Sequence, residues 1–101
     1  MQPTVQELLS SAQEIKQEIL ADRRTIHQNP EVATHLPATK AYVMKRLIEL
    51  GYEPQELCEN GIVATITGKD TGRCMLLRAD MDALRIQEQT GLPFQSENGS
   101  M

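Results

Sequence analysis

Asp80 and Asp82 are the residues whose type and spacing most directly suggest chemistry in this chain. They lie in the stretch Leu77-Arg78-Ala79-Asp80-Met81-Asp82-Ala83-Leu84-Arg85, just after the apolar run Cys74-Met75-Leu76-Leu77. While a backbone stays extended, side chains at i and i+2 point to one face. Carboxylates paired in that way can hold a divalent cation, orient a metal ligand, or supply a nucleophile and an acid. The sequence reaches Met101 before any His or Cys cluster that could complete such a site.

The elements that must position these carboxylates follow from local patterning. Thr4 reads as a helix N-cap, with Glu7 three residues on to complete a capping box. Val5, Leu8, Leu9, Ala12, Ile15, Ile19 and Ile26 continue a helical stripe. Asn29-Pro30 ends it, because the residue before proline is pushed out of the helical region. Pro37 suits the first turn of a second helix, edged by Val43, Leu47 and Leu50 and stopped at Gly51. Three strands are then predicted: a weak one from Tyr52 to Cys58, broken by Pro54; a β-branched one from Ile62 to Thr67; and a third from Arg73 to Ala79. Asn60-Gly61 and the run Gly68 to Gly72 supply turns. The near-continuous apolar character of the third strand predicts burial on both faces, as in the centre of an α/β sheet. Beyond Asp82 the periodicity fades into an irregular tail, and structureless stretches of that length are uncommon unless functional. Loops leaving the C-terminal end of such a strand are where α/β enzymes place their sites.

Composition bounds the partners. The chain has 101 residues, 40% of them hydrophobic but only 3% aromatic, which allows one small domain at most. Its formal charge of −4 is spread among interspersed acidic and basic residues, and no basic stripe is present to engage nucleic acid or an anionic membrane. Arg23-Arg24 and Lys45-Arg46 read as solvated helix faces. Cys58 and Cys74 belong to no C-x-x-C pattern and are expected as buried or half-buried free thiols, with a disulfide between them left open. The start Met1-Gln2-Pro3-Thr4 has neither the basic cap nor the apolar run of a signal peptide, and no stretch approaches transmembrane length, so the expected location is the cytoplasm.

Five segments occur in a collinear order that resembles a known family. They are Arg23-Arg24-Thr25-Ile26-His27-Gln28-Asn29-Pro30-Glu31; Thr39 with Leu47 and Leu50-Gly51-Tyr52; Gly61-Ile62-Val63-Ala64; Leu77 to Leu84; and Glu88 with Thr90-Gly91-Leu92-Pro93-Phe94 and Ser96. Together these are similar to the metal-dependent amidohydrolases and aminoacylases of metallopeptidase family twenty, which includes hippurate hydrolases, N-acetyl-diaminopimelate deacetylases and indole-acetyl-amino-acid hydrolases. Two places depart from the pattern: Arg85 stands where the family usually has proline, and the stretch Thr34 to Ala38 replaces a more acidic one. In the family, the step seen here as Gly99-Ser100-Met101 is followed at once by H-A-C-G-H-D, which carries metal ligands.

The resemblance implies an α/β chain: residues 1–101 as a single partial domain, the N-terminal part of a zinc-peptidase-like catalytic domain, with two helices, three strands and an irregular tail. It implies hydrolysis of the amide joining an acyl group to an amino acid, or of small peptides. Two divalent metals (zinc, manganese, cobalt or nickel) would serve the complete enzyme, with none retained by this chain alone. Asp82 then corresponds to the carboxylate that orients a metal-binding His, and Asp80 to a supporting residue rather than a ligand. These two are the candidate catalytic residues. His27, at a helix end, is expected to bond the last carbonyls or favour the dipole; Asn29-Pro30-Glu31 reads as architecture, His35 as an exposed loop residue, and Arg78 as an ion-pair partner. Two other readings remain at this point. One is haloacid-dehalogenase-like phosphotransfer through Asp80 and Asp82, although Leu84 replaces the usual Thr or Val. The other is a non-enzymatic interaction module, in which an unpaired edge and an apolar face meet a complementing polypeptide or a second copy.

Overall fold

The computed structural model describes residues 2–69 and 72–101. Three helices come first: α1 (Val5–Glu14), α2 (Lys16–Gln28) and α3 (Pro37–Glu49). A two-stranded antiparallel hairpin follows, β1 (Gln55–Leu57) with β2 (Gly61–Val63). The expected α/β class therefore stands.

Local chemistry accounts for the helix ends. The Glu7 N–H donates to Thr4 Oγ1 at 3.2 Å and the Thr4 N–H donates to Glu7 Oε2 at 2.7 Å, a complete capping box. The first helical stretch is nonetheless two helices, not one. The chain turns at Ile15 (φ −97°, ψ 6°), with neither Gly nor Pro between Thr4 and Gln28 to signal it. α1 buries no residue, so nothing packed against it holds the two helices in line. α3 starts with Pro37 in its first turn and ends at Gly51, whose φ of +91° suits glycine.

α2 and α3 are joined by a polar clasp. Asp22 Oδ1 accepts from the Tyr42 hydroxyl at 2.6 Å and from Arg46 Nε at 2.8 Å, and Arg46 also reaches Glu49 at 2.8 Å. α3 holds the hairpin through Lys40, which donates to the Glu59 carbonyl at 2.8 Å and pairs with Glu56 at 3.2 Å. Asn60 contributes its side chain rather than only its turn preference. Its Oδ1 accepts from the Leu36 N–H at 3.1 Å, and its Nδ2 donates to the Thr34 carbonyl. That brings Leu36, 4% exposed, into the small interior beside Thr39.

The hairpin register pairs Gln55 with Val63, Glu56 with Ile62 and Leu57 with Gly61. A Cβ on Gly61 would lie 2.3 Å from the Leu57 carbonyl oxygen, a backbone atom that cannot swing aside. Gly61→Ala is accordingly expected to destabilise the hairpin by about 1–3 kcal/mol, the usual range for overpacking. Thermal unfolding of the variant beside the parent chain measures this.

Both expected strands of the hairpin are shorter than their patterns: Tyr52 to Cys58 pairs only at Gln55–Leu57, and Ile62 to Thr67 only as far as Val63. The predicted Gly68 to Gly72 turn includes Asp70 and Thr71, which lie outside the described residues. The third strand does not form: Arg73 to Ala79 is solvent-exposed, with no ladder partner among the described residues. Met75, Leu76 and Leu77 are 85%, 85% and 89% exposed. An apolar run signals a buried strand only when neighbouring strands and helices cover it, and no described element does so here. Cys58 and Cys74 are exposed free thiols rather than buried ones, because Cys58 falls in the hairpin turn (φ +59°) and Cys74 on the uncovered ribbon.

Size agrees with that open arrangement. The accessible surface is 8660 Å², whereas a folded monomer of this mass exposes about 5,700 Å². The radius of gyration is 16.3 Å, against about 13 Å for a compact domain of this length. Among the described residues no helix is long and apolar enough to cross a membrane.

Candidate functional site

The five residues 27–31, at the end of α2 and just beyond, bind both the start of α3 and the tail. The Glu31 carboxylate accepts the first free N–H groups of α3, from Thr39 at 2.5 Å and Ala38 at 3.2 Å, so it caps that helix from outside. The Glu31 backbone carbonyl accepts from the Ala83 N–H at 2.8 Å, and Val32 and Ala83 form a parallel bridge. The Gln28 carbonyl accepts from the Glu97 N–H at 3.0 Å, and the Pro30 carbonyl from Asn98 Nδ2 at 2.7 Å. Reading Asn29-Pro30-Glu31 as architecture agrees with these bonds.

The tail from Ala83 to Met101 is thus docked, although it holds neither helix nor strand. At its centre is Glu88, 4% exposed. Glu88 Oε1 accepts from His27 Nε2 at 2.5 Å and from the Ser96 N–H at 3.2 Å, while Oε2 accepts from the Thr90 hydroxyl. The Phe94 ring meets His27 edge-on at 6.2 Å, and the Arg24 guanidinium lies 4.4 Å from the centre of the same ring. His27 is therefore not chiefly a helix-dipole residue. Its partner is a carboxylate 61 residues away. The local sequence offered one clue to Glu88: a hydroxyl two residues on, at Thr90, poised to bond it.

Asp82 and Asp80 lie at the entrance to this docked tail. Asp80 forms an exposed ion pair with Arg78 at 2.8 Å, the kind of partner expected for that arginine. Asp82 is exposed and borders a cavity of about 230 Å³ that Arg23, Ile26, His27, Met81 and Met101 also line. His35 is exposed in its loop, as expected. The structure brings Asp82 and His27 to one cavity and leaves Asp80 paired elsewhere. Among the described residues no three His, Cys, Asp or Glu side chains converge as a metal site. The donors present do not by themselves fit a two-metal centre, which requires several such ligands from different elements.

Charge at these sites makes the chain sensitive to acid. The Thr90 hydroxyl holds the Glu88 carboxyl below the usual glutamate value of 4.5; burial opposes this, and the Ser96 N–H and His27 add to it. For Glu31, burial acts to raise the value, but the Thr39 and Ala38 N–H groups outweigh it and the net direction is down. The Tyr42 hydroxyl, with help from Arg46, lowers Asp22 against the opposing effect of burial. Carboxyls depressed in the folded state stabilise it above their unfolded values, and that stability is lost as pH falls through the folded values. Circular dichroism across an acid titration should show tertiary docking weakening progressively below about pH 4.5, with little change between pH 6 and 8 from these three groups.

No family model matches the chain. Individual proteins do. The chain is 38% identical over 86 residues to an N-acetyl-L-cysteine deacetylase of Bacillus subtilis, covering 83% of this chain and 20% of that protein. It is 33% identical over 96 residues to an N-acyl-L-amino acid amidohydrolase of Geobacillus stearothermophilus, covering 94% and 26%. With a hippurate hydrolase of Campylobacter jejuni it shares 40% identity over 76 residues, covering 74% and 20%. Its backbone superimposes on the crystal structure of the YXEP protein of Bacillus subtilis, described as a dinuclear metal binding peptidase from M20 family. The TM-score is 0.81 at 34% identity, over 88% of this chain and 26% of that one. The chain therefore spans only about a fifth to a quarter of the length of these relatives. On this agreement of sequence and backbone, the chain belongs to the M20 family of metal-dependent amidohydrolases.

Proposed function

We propose that residues 1–101 act as one partial catalytic domain of a hydrolase that cleaves the amide between an acyl group and an amino acid, or small peptides. Asp82 is the carboxylate this chain contributes to the reaction centre, where it orients a ligand carried by another segment; Asp80 supports it from two residues upstream. The observation that carries this reading is the place of Asp82 on an open cavity beside His27 and Arg23, in a chain 33–40% identical to acyl-amino-acid hydrolases. A divalent metal such as zinc, manganese, cobalt or nickel would polarise the scissile carbonyl in the assembled enzyme. Within this chain, Asp82 holds a negative charge at the cavity mouth while the Glu31 and Glu88 attachments keep its backbone in place. The substrate is an N-acyl amino acid or peptide, and the setting is the cytoplasm.

The test is an exchange. This chain, in place of the aligned quarter of the Geobacillus relative, is assayed with hippurate and N-acetyl amino acids, and the 101-residue chain is assayed alone. Turnover by the exchanged protein with only background from the isolated chain is the expected result. Metal-dependent turnover by the isolated chain, or a folded but inactive exchanged protein, would overturn it. Phosphatase activity that depends on Asp80 would point instead to phosphotransfer.

A further inference from the structure

We infer that Glu88 is a positioning residue for Asp82, acting through His27 and the loop that both residues help to fasten. The role assigned to Asp82 rests on the proposed function; the fastening itself does not. Leu84 and Met101 exchange both backbone hydrogen bonds, Leu84 N–H to Met101 O at 2.6 Å and Met101 N–H to Leu84 O at 2.8 Å. Residues 85–100 therefore form a loop whose ends touch, packed by its own side chains. Asp82 lies two residues before Leu84, where this loop closes, and next to Ala83, whose N–H is held by the Glu31 carbonyl. The position of Asp82 thus follows the position of the loop.

Glu88 is the buried side chain that fixes the loop on α2, alongside the Gln28 bonds to Glu97 and Pro93. It is buried, yet its partners come from both sides of the join: Thr90 and Ser96 from the loop, His27 from α2. Gln95 Nε2 adds a bond to the Glu88 backbone carbonyl at 3.2 Å. An apolar side chain could fill the same space but could not reach His27 with a hydrogen bond. A buried carboxylate left without partners is costly, so the loop and α2 must stay in register to satisfy it. Phe94, against both His27 and Arg24, resists sideways sliding along the helix. A misplacement of about 1 Å at a reacting group can cost on the order of a hundredfold in rate.

Amide hydrogen exchange on the ¹⁵N-labelled 101-residue chain tests this without any catalytic assay. Glu88→Ala and Glu88→Gln are compared with the parent, with Ala83 and Met101 as reporters and Lys40 in α3 as the control for folding. Glu88→Ala should lower protection at Ala83 and Met101 by roughly tenfold, consistent with loss of a charge-assisted bond, while Lys40 is retained. Should Glu88→Ala fail to fold, Glu88→Gln carries the test, with a loss of about threefold at Ala83 expected. The double variant His27→Gln with Glu88→Gln should recover protection, because the two amides can bond each other. A loss confined to Ser96, with Ala83 and Met101 unchanged, would overturn the inference. If instead Ala83 loosens as expected but Asp82→Asn leaves hydrolysis intact in the exchanged enzyme, the fastening stands and the role given to Asp82 falls.

Discussion

Asp82→Asn in the exchanged enzyme should lower kcat/KM by roughly 10–100-fold, the range for carboxylates that orient a ligand from behind. Asparagine keeps the size of the side chain and removes its charge, and Asp82 is exposed, so folding should be unaffected. Most of the loss should appear in kcat, since a group that orients the reacting centre acts in the transition state. Asp80→Asn should cost much less, because Asp80 already forms an exposed pair with Arg78. Steady-state kinetics of the two variants side by side, with circular dichroism to check folding, decides the order. Equal losses would place Asp80 in the centre as well, and an unchanged Asp82 variant would remove Asp82 from it.

The exposed ribbon leads to a second large effect. Met75 and Leu77 project from the same face of an extended backbone, and each is almost wholly in water. Sedimentation velocity at rising concentration should show the isolated chain self-associating through this ribbon. Covering one such side chain contributes about 1.5–3 kcal/mol, so Met75→Lys with Leu77→Lys together should raise the association midpoint at least about a hundredfold. Lysine is also a residue that natural sheet edges use to discourage pairing. A chain that stays monomeric over the whole range, or a double variant that associates as readily as the parent, would contradict this use of the ribbon.

Much of the local structure was legible because short-range chemistry determines it. The Thr4–Glu7 box, Pro37 at the start of α3 and Gly51 just past its end each depend on residues a few positions apart, whereas the Asn60-Gly61 signal fell one residue late, because the turn runs from Cys58 to Asn60 and Gly61 already pairs with Leu57 in β2. The break at Ile15 was not legible, since it reflects missing packing rather than a breaker residue. The ribbon was misread for a related reason: Met75-Leu76-Leu77 states a need for burial, but whether anything meets the need lies in other parts of a sheet. At the site, the Asp80–Asp82 spacing singled out a stretch in which Asp82 borders the cavity with His27 while Asp80 pairs with Arg78. The His27–Glu88 bond was missed because it spans 61 residues, with no periodicity or turn rule to connect the two. His27 was assigned to the nearest available partner, the helix end, when a buried carboxylate was the stronger one.

The segment from His27 to Glu31 carries a constraint of length as well as identity. Within five residues it makes attachments to Glu88, Glu97, Asn98, Ala83 and the start of α3. Each attachment uses a different atom at a fixed rise along the chain. Replacing one residue removes only the side-chain bonds of His27 or Glu31 and leaves the backbone acceptors of Gln28, Pro30 and Glu31 in place, whereas inserting or deleting a single residue shifts every later atom out of register at once. Natural variation and designed libraries should accordingly accept scattered substitutions here far more readily than any change in the number of residues. A scan of one-residue insertions would mark this stretch as a ruler against which the tail is measured.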